Sequence, residues 1–195
     1  MRFVIVVDAQ YDFMMPDGAL YVAGADALVV PTDDWLAALD PAEVAGVLFT
    51  FDTHTPEIYA GSAEAAQFPP HCMRGTPGWA SVLDPARVDA GIPLYRLEKN
   101  VFAMWEEAHV LIGDLRDPLA PTTPRDAFFD RLKADGIEDV TVIGVAADYC
   151  VRWAVDGLVA RGFRVTVPAA FTRGIARQID TVVAEDWPEG AVALA

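Results

Sequence analysis

Four short apolar runs punctuate the chain. Phe3 to Val7, residues 45 to 51 (AGVLFTF), Val140 to Val145 and Phe163 to Val167 are each dominated by β-branched, aromatic or small apolar side chains. Runs of this length that do not alternate with polar residues predict strands buried on both faces, as in a parallel sheet covered by helices. Ile92 to Leu97 is a further short run that stops just before Lys99. Between the runs the period lengthens. Leu28, Val29, Trp35, Leu36 and Leu39 predict a helix over roughly 26–39, with Pro31 marking a kink or a later start. Phe128, Phe129 and Leu132 predict another over 125–134. The clearest covers 149–161, where Cys150, Val151, Ala154, Val155, Leu158 and Val159 share a face and Arg161-Gly162 supplies the stop. A weaker pattern runs from 175 to 186 before Pro188-Glu-Gly. Buried strands alternating with amphipathic helices imply an α/β sandwich.

Two stretches break the alternation. Residues 53–80 carry Pro56, Gly61, Pro69, Pro70, Gly75, Pro77 and Gly78 and show no sustained period, and a long structureless loop inside a compact fold is usually functional or disordered. Residues 113–124, rich in Pro and Asp, read as surface. No repeat or linker divides the chain, and its 195 residues, 53% of them apolar, match the length and core of one domain spanning 1–195. A formal net charge of −15 with no basic cluster excludes a nucleic-acid or anionic-membrane surface. The N-terminal apolar stretch meets Asp8 at once and reads as a strand rather than a signal peptide. Two cysteines, Cys72 and Cys150, are too few for a disulfide framework, so reduced thiols and a cytoplasmic location are expected.

The polar residues that matter stand where the runs end. In an open parallel sheet ligands bind beyond the carboxyl ends of the strands, and Asp8, Asp52 and the turn Ala146 to Cys150 all lie at such ends. Cys150 opens the 149–161 helix, where unpaired N–H groups favour a thiolate; the alternative is a buried cysteine packed like a small hydrophobe. Asp8 reads as a general base or as a turn cap, and Asp12 equally as a turn residue. Lys99 alone would be a solvated charge. Asp52, His54, Glu64 and His71 make a mixed oxygen and nitrogen set suited to Zn²⁺, Fe²⁺ or Mn²⁺, although without a compact motif. Phosphate-binding glycine loops are absent.

Five segments, in order, resemble the motifs of the isochorismatase-like cysteine hydrolases and, within them, the nicotinamidases: VIVVDAQYDF, FTFDTH, FPPHCMRGTPG, LEKNVF and VIGVAADYCVRWAVDGLVARGFRVTV. The resemblance implies a three-layer α/β/α sandwich around a mainly parallel sheet. It also implies a triad of Asp8 as base, Lys99 and the nucleophile Cys150, with a cis peptide at Val145-Ala146 and an oxyanion hole from the N–H groups of Ala146 and Cys150. Asp52, His54 and His71 match metal-ligand positions; Glu64 fills the fourth place, with Glu57 the competitor. One divalent ion is implied, zinc first and iron or manganese as alternatives. Phe13 and Phe68 match positions that flank a nicotinamide ring, and Val145, Tyr149 and Trp105 are further pocket candidates; His109 reads as surface. The implied reaction is hydrolysis of nicotinamide to nicotinate and ammonia through a cysteine thioester, the alternative being another small amide or N-carbamoyl compound. The implied partner is a small carboxamide, and a homo-oligomer is left open.

Overall fold

The computed structural model describes all 195 residues. Its centre is β1 (Arg2–Val7), whose side chains alternate between two cores. Phe3, Ile5 and Val7 face one, Val4 and Val6 the other, which explains why the run contains no polar residue. The first core is closed by α4 (Arg125–Ala134), α5 (Arg152–Ala160) and α6 (Ile179–Asp186) through Phe128, Phe129, Leu132, Ala154, Leu158 and Val182. The second is closed by α2 (Val29–Ala37), through Leu36, and by the segments around it. Three layers result, as the resemblance implied.

The nine-stranded sheet has the order β5-β4-β3-β2-β1-β6-β7-β9, with β8 beside β6. Here β2 is Val44–Asp52, β3 Leu94–Lys99, β4 Leu111–Asp114, β5 Thr123–Pro124, β6 Asp139–Val145, β7 Arg164–Val167, β8 Thr172–Arg173 and β9 Val192–Leu194. Strands β3, β2, β1, β6, β7 and β9 run parallel, and only β4 and β5 pair antiparallel at one edge. The chain builds outward from β1 to β3 and later returns to β6 on the other side. That reversal at β1 opens a crevice at the carboxyl ends of β1, β2, β3 and β6.

The expected elements occur, with differences that have physical causes. Pro31 falls in the first turn of α2, where its missing N–H forfeits no helical bond, so the proline does not break the helix. The expected 149–161 helix begins as α5 only at Arg152; before it, Ala147–Val151 form a π-helical turn with Tyr149 outside helical geometry. The stretch 53–80 is irregular apart from short turns and α3 (Pro56–Tyr59), the latter capped by the Thr55 hydroxyl. The short helix α1 (Tyr11–Met14) and the edge strands β4, β5 and β9 carry too little periodic pattern to have been expected. No helix is long and apolar enough to cross a membrane.

Two glycines serve different ends. Gly162, at φ +77°, lets the Phe163 N–H reach back to the Leu158 carbonyl at 3.1 Å and closes α5 as the sequence implied. Gly144, at φ +112°, sits in β6 so close to β1 that an added Cβ would lie 2.1 Å from the Val7 carbonyl oxygen. Gly162→Ala meets only the flexible end of Lys133 and should cost about 1 kcal/mol of backbone strain. Gly144→Ala forces β1 and β6 apart at the centre of the sheet, and urea denaturation should show a loss of roughly 3 kcal/mol or more. Equal losses in the two variants would contradict this account.

Candidate active site

Four strand ends deliver the polar groups. Asp52 is the last residue of β2 and Lys99 the last of β3, and the two are paired in register. Asp8 follows β1 directly, in a left-handed backbone conformation at φ +47° that is uncommon outside glycine. Cys150 comes from the π-helical turn after β6. The peptide between Val145 and Ala146 is cis.

Lys99, 1% exposed, reaches beneath the end of β2 to join these groups. Its Nζ lies 2.8 Å from Asp8 Oδ2, 3.4 Å from Asp52 Oδ1 and 3.6 Å from Cys150 Sγ. Burial opposes an ammonium there, but Asp52 and Asp8 outweigh it and hold the lysine well above its ordinary range. Burial pushes the Cys150 thiol well up, with Asp8 and Asp52 adding to the rise and Lys99 opposing it. Cys150 lies in a π-helical turn rather than in the first turn of an α-helix, so the helix N-terminus expected from the sequence does not form around it, and burial works against ionisation of its thiol.

A second cluster shares Asp52. Its Oδ2 is 2.9 Å from His54 Nε2 and 3.1 Å from His71 Nε2, while Glu64 Oε2 is 2.9 Å from His54 Nε2. One ligand atom from each of Asp52, His54, Glu64 and His71 lies within 4.8 Å of the others, and all four residues are buried. Glu64, the expected fourth residue, stands in this cluster, whereas Glu57 is exposed on α3. The donor set fits a divalent cation, because Glu64 Oε1 is buried without a hydrogen-bond partner and His71 Nδ1 donates to the Pro69 carbonyl at 2.8 Å, leaving the Nε2 lone pair available to a metal. Burial disfavours a charged His54, yet the hydrogen bonds to Asp52 and Glu64 raise it to about 9, a sign that the cluster demands positive charge. For Asp52, burial is outweighed by Lys99 and the two imidazoles, which hold its carboxyl well below the usual range.

Both clusters open into one small cavity. Cys150 and Ala146 line one side, Asp52 and His71 another, and Phe13, Phe68, Phe102 and Tyr149 supply aromatic walls. Phe68 meets Tyr149 edge-on at 5.4 Å and Phe13 lies 5.2 Å from the His71 ring. Two pocket candidates do not belong here. Val145 is wholly buried in the second core and is not among the residues that line the cavity, although its neighbour Ala146 is. Trp105 packs on Phe129 and donates to the Ala154 carbonyl, behind α5. His109 is exposed, as expected.

Several contributors carried no recognised signal. Thr50 in β2 donates its hydroxyl to Asp8 Oδ1 at 2.6 Å. Gln10 accepts from the Asp52 N–H at 2.8 Å and donates to the Asp52 and Trp79 carbonyls, tying the ends of β1 and β2 together. Asp148, inside the π-helical turn, accepts from the N–H groups of Ile175, Ala176 and Arg177 at 2.7 to 2.9 Å. Asp12 is more than a turn residue, since it accepts the Cys72 N–H at 2.7 Å and steadies the chain beside His71. Phe102 is a cavity wall. The signal for Thr50 was its polarity within an otherwise apolar run.

Fold and site together define an α/β protein with a buried thiol, carboxylate and ammonium beside a metal-ligating cluster. The chain belongs to the isochorismatase family: the family described as Isochorismatase domain matches residues 2–177. A nicotinamidase/pyrazinamidase of Mycobacterium tuberculosis is 28% identical, with 100% of this chain and 98% of the relative covered. Among solved structures, a pyrazinamidase of Pyrococcus horikoshii in complex with zinc has a TM-score of 0.72 at 23% identity, covering 100% of this chain and 98% of that one. An N-carbamoylsarcosine amidase of Thermoplasma acidophilum has a TM-score of 0.71 at 22% identity, covering 100% and 95%. The last two are equally close in fold.

Replacing Lys99 by Met would leave Asp8 and Asp52 buried without their counter-charge. Urea denaturation of the metal-free variant should show a loss of about 3–5 kcal/mol. A loss below about 1 kcal/mol, as for a surface ion pair, would refute the central role given to the ammonium.

Proposed function

We propose that this protein is a nicotinamidase, hydrolysing nicotinamide to nicotinate and ammonia with Asp8, Lys99 and Cys150 as its catalytic residues. The observation that carries the reading is the single cavity onto which Cys150 faces from one side and the metal-ligating Asp52 and His71 from another. A substrate held there needs a carboxamide at one end and a metal-binding atom at the other, which the pyridine ring of nicotinamide provides. The Mycobacterium tuberculosis relative supports the same substrate. Fold likeness alone does not choose among amides, since the N-carbamoylsarcosine amidase shares it.

Because burial raises the Cys150 thiol above its ordinary range, the chemistry needs a base. Asp8 removes that proton as Cys150 Sγ attacks the carboxamide carbon. The N–H groups of Ala146 and Cys150 hold the developing oxyanion. Asp8 then returns the proton to the departing nitrogen, so that ammonia leaves and a thioester remains. A water deprotonated by Asp8 attacks the thioester; nicotinate leaves and the thiol regains its proton. Lys99 offsets the repulsion between a thiolate and the carboxylates beside it. Asp52, His54, Glu64 and His71 hold one divalent metal, zinc in the first instance, and the bound ion supplies a Lewis-acidic position for the ring nitrogen. Phe13 and Phe68 orient the ring, with Tyr149 and Phe102 enclosing it. Free thiols at Cys72 and Cys150 suit a cytoplasmic role in pyridine-nucleotide salvage.

The test is ammonia release from nicotinamide by metal-loaded protein. Release should fall to background in Cys150→Ala and drop sharply after chelation, returning when zinc is restored. No release by intact, metallated protein would end the assignment, and undiminished release by Cys150→Ala would end the mechanism. Glu64→Gln should lower bound metal by at least about tenfold at limiting concentration, whereas Glu57→Gln should leave it unchanged. The reverse pattern, read by elemental analysis, would move the fourth ligand to Glu57.

A further inference from the structure

Asp8 is held by more than Lys99. Thr50, 2% exposed, is the polar residue within the otherwise apolar stretch of β2 that precedes Asp52. Its hydroxyl donates to Asp8 Oδ1 at 2.6 Å, and the same oxygen receives the Asp8 backbone N–H at 3.2 Å. Asp8 is thus gripped twice by one side chain, through its backbone and through one carboxylate oxygen. Its other oxygen, Oδ2, is left to Lys99 at 2.8 Å, on the side where Lys99 also approaches Cys150.

An ionised carboxylate accepts hydrogen bonds and donates none, so the direction of the Thr50 bond is fixed. With Oδ1 occupied, rotation of the Asp8 carboxylate about its Cβ–Cγ bond would break a short charge-assisted hydrogen bond. Valine would fill the same space with the same β-branched shape and suit the strand at least as well. Packing therefore does not call for threonine here; its hydroxyl does. The left-handed backbone at Asp8 reinforces the point, because a residue in that conformation needs its orientation held by its surroundings.

We propose that Thr50 is a positioning residue that presents Asp8 Oδ2 to the Cys150 thiol and so sets the rate of proton removal. The proposal rests on the assignment of Asp8 as the base. It requires the hydroxyl at position 50 and nothing else of the side chain. Loss of that hydroxyl should affect the proton-transfer steps rather than substrate capture, because Thr50 does not line the cavity.

The test compares Thr50→Val with Thr50→Ser, each checked for thermal stability and bound metal. Nicotinamide hydrolysis by Thr50→Val should show kcat lowered by about tenfold or more, with KM within about twofold. Thr50→Ser should recover most of kcat despite its missing methyl. In parallel, the rate at which iodoacetamide alkylates Cys150 at neutral pH should fall in Thr50→Val and recover in Thr50→Ser. That second readout requires no particular substrate, so it separates failure of this proposal from failure of the nicotinamidase reading. Wild-type rates of turnover and alkylation in Thr50→Val would overturn the proposal. Equal losses in Thr50→Val and Thr50→Ser would also overturn it, by showing that the hydroxyl alone does not sustain the rate. Should Thr50→Val not fold, Thr50→Ala provides the hydroxyl-free variant, with the same outcomes deciding.

Discussion

A fully buried ammonium is the constraint on which the site depends. Taking a lysine out of water is prohibitive unless its charge is met at close range. Here two carboxylates meet it, Asp8 at 2.8 Å and Asp52 at 3.4 Å. Each comes from a different strand end, so the charge is balanced only when β1, β2 and β3 stop at matching levels. The pairing of Asp52 with Lys99 across the sheet provides that level, and Gln10 holds β1 to it through both polar groups of the Asp52 backbone. The sheet register is therefore a condition of the chemistry as well as of the core.

Asp52 is where the two halves of the site meet. One of its oxygens faces Lys99 and the other faces His54 and His71. A single carboxylate therefore joins the surroundings of Cys150 to the cluster of potential metal ligands. That shared carboxylate places the potential metal ligands beside the thiol, ammonium and carboxylate rather than apart from them. The fold alone does not distinguish substrates, because the chain resembles both a pyrazinamidase and an N-carbamoylsarcosine amidase in fold.

The fold was legible where burial alone decides structure. β1 is apolar because both of its faces are covered, and α4 has an amphipathic pattern that fits its span over Arg125–Ala134. Pattern failed where structure depends on distant partners. β4 and β5 owe their form to pairing at a sheet edge, and the π-helical turn at Ala147–Val151 continues a helical hydrophobic pattern although Tyr149 leaves helical geometry. The site was legible through family motifs at Asp8, Lys99 and Cys150, which the fold brings together. Val145 lies within such a motif and still faces the core, because a motif marks a backbone position and not the direction of each side chain. Glu64 and Glu57 could not be separated along the chain; burial separates them.

The two thiols of this protein show what burial does and does not explain. Both Cys72 and Cys150 are buried, and burial pushes both well above the ordinary thiol range. Cys72 sits in a left-handed backbone conformation, its N–H bound to Asp12 and its sulfur 4.0 Å from the Gly78 carbonyl, within the second core. Cys150 has instead an ammonium at 3.6 Å and a face on the cavity. A raised thiol remains inert where no group can take its proton and no substrate can approach. Cys150 differs from Cys72 not in how far burial raises the thiol but in its surroundings, an ammonium within reach of the sulfur and a cavity that a small molecule could enter.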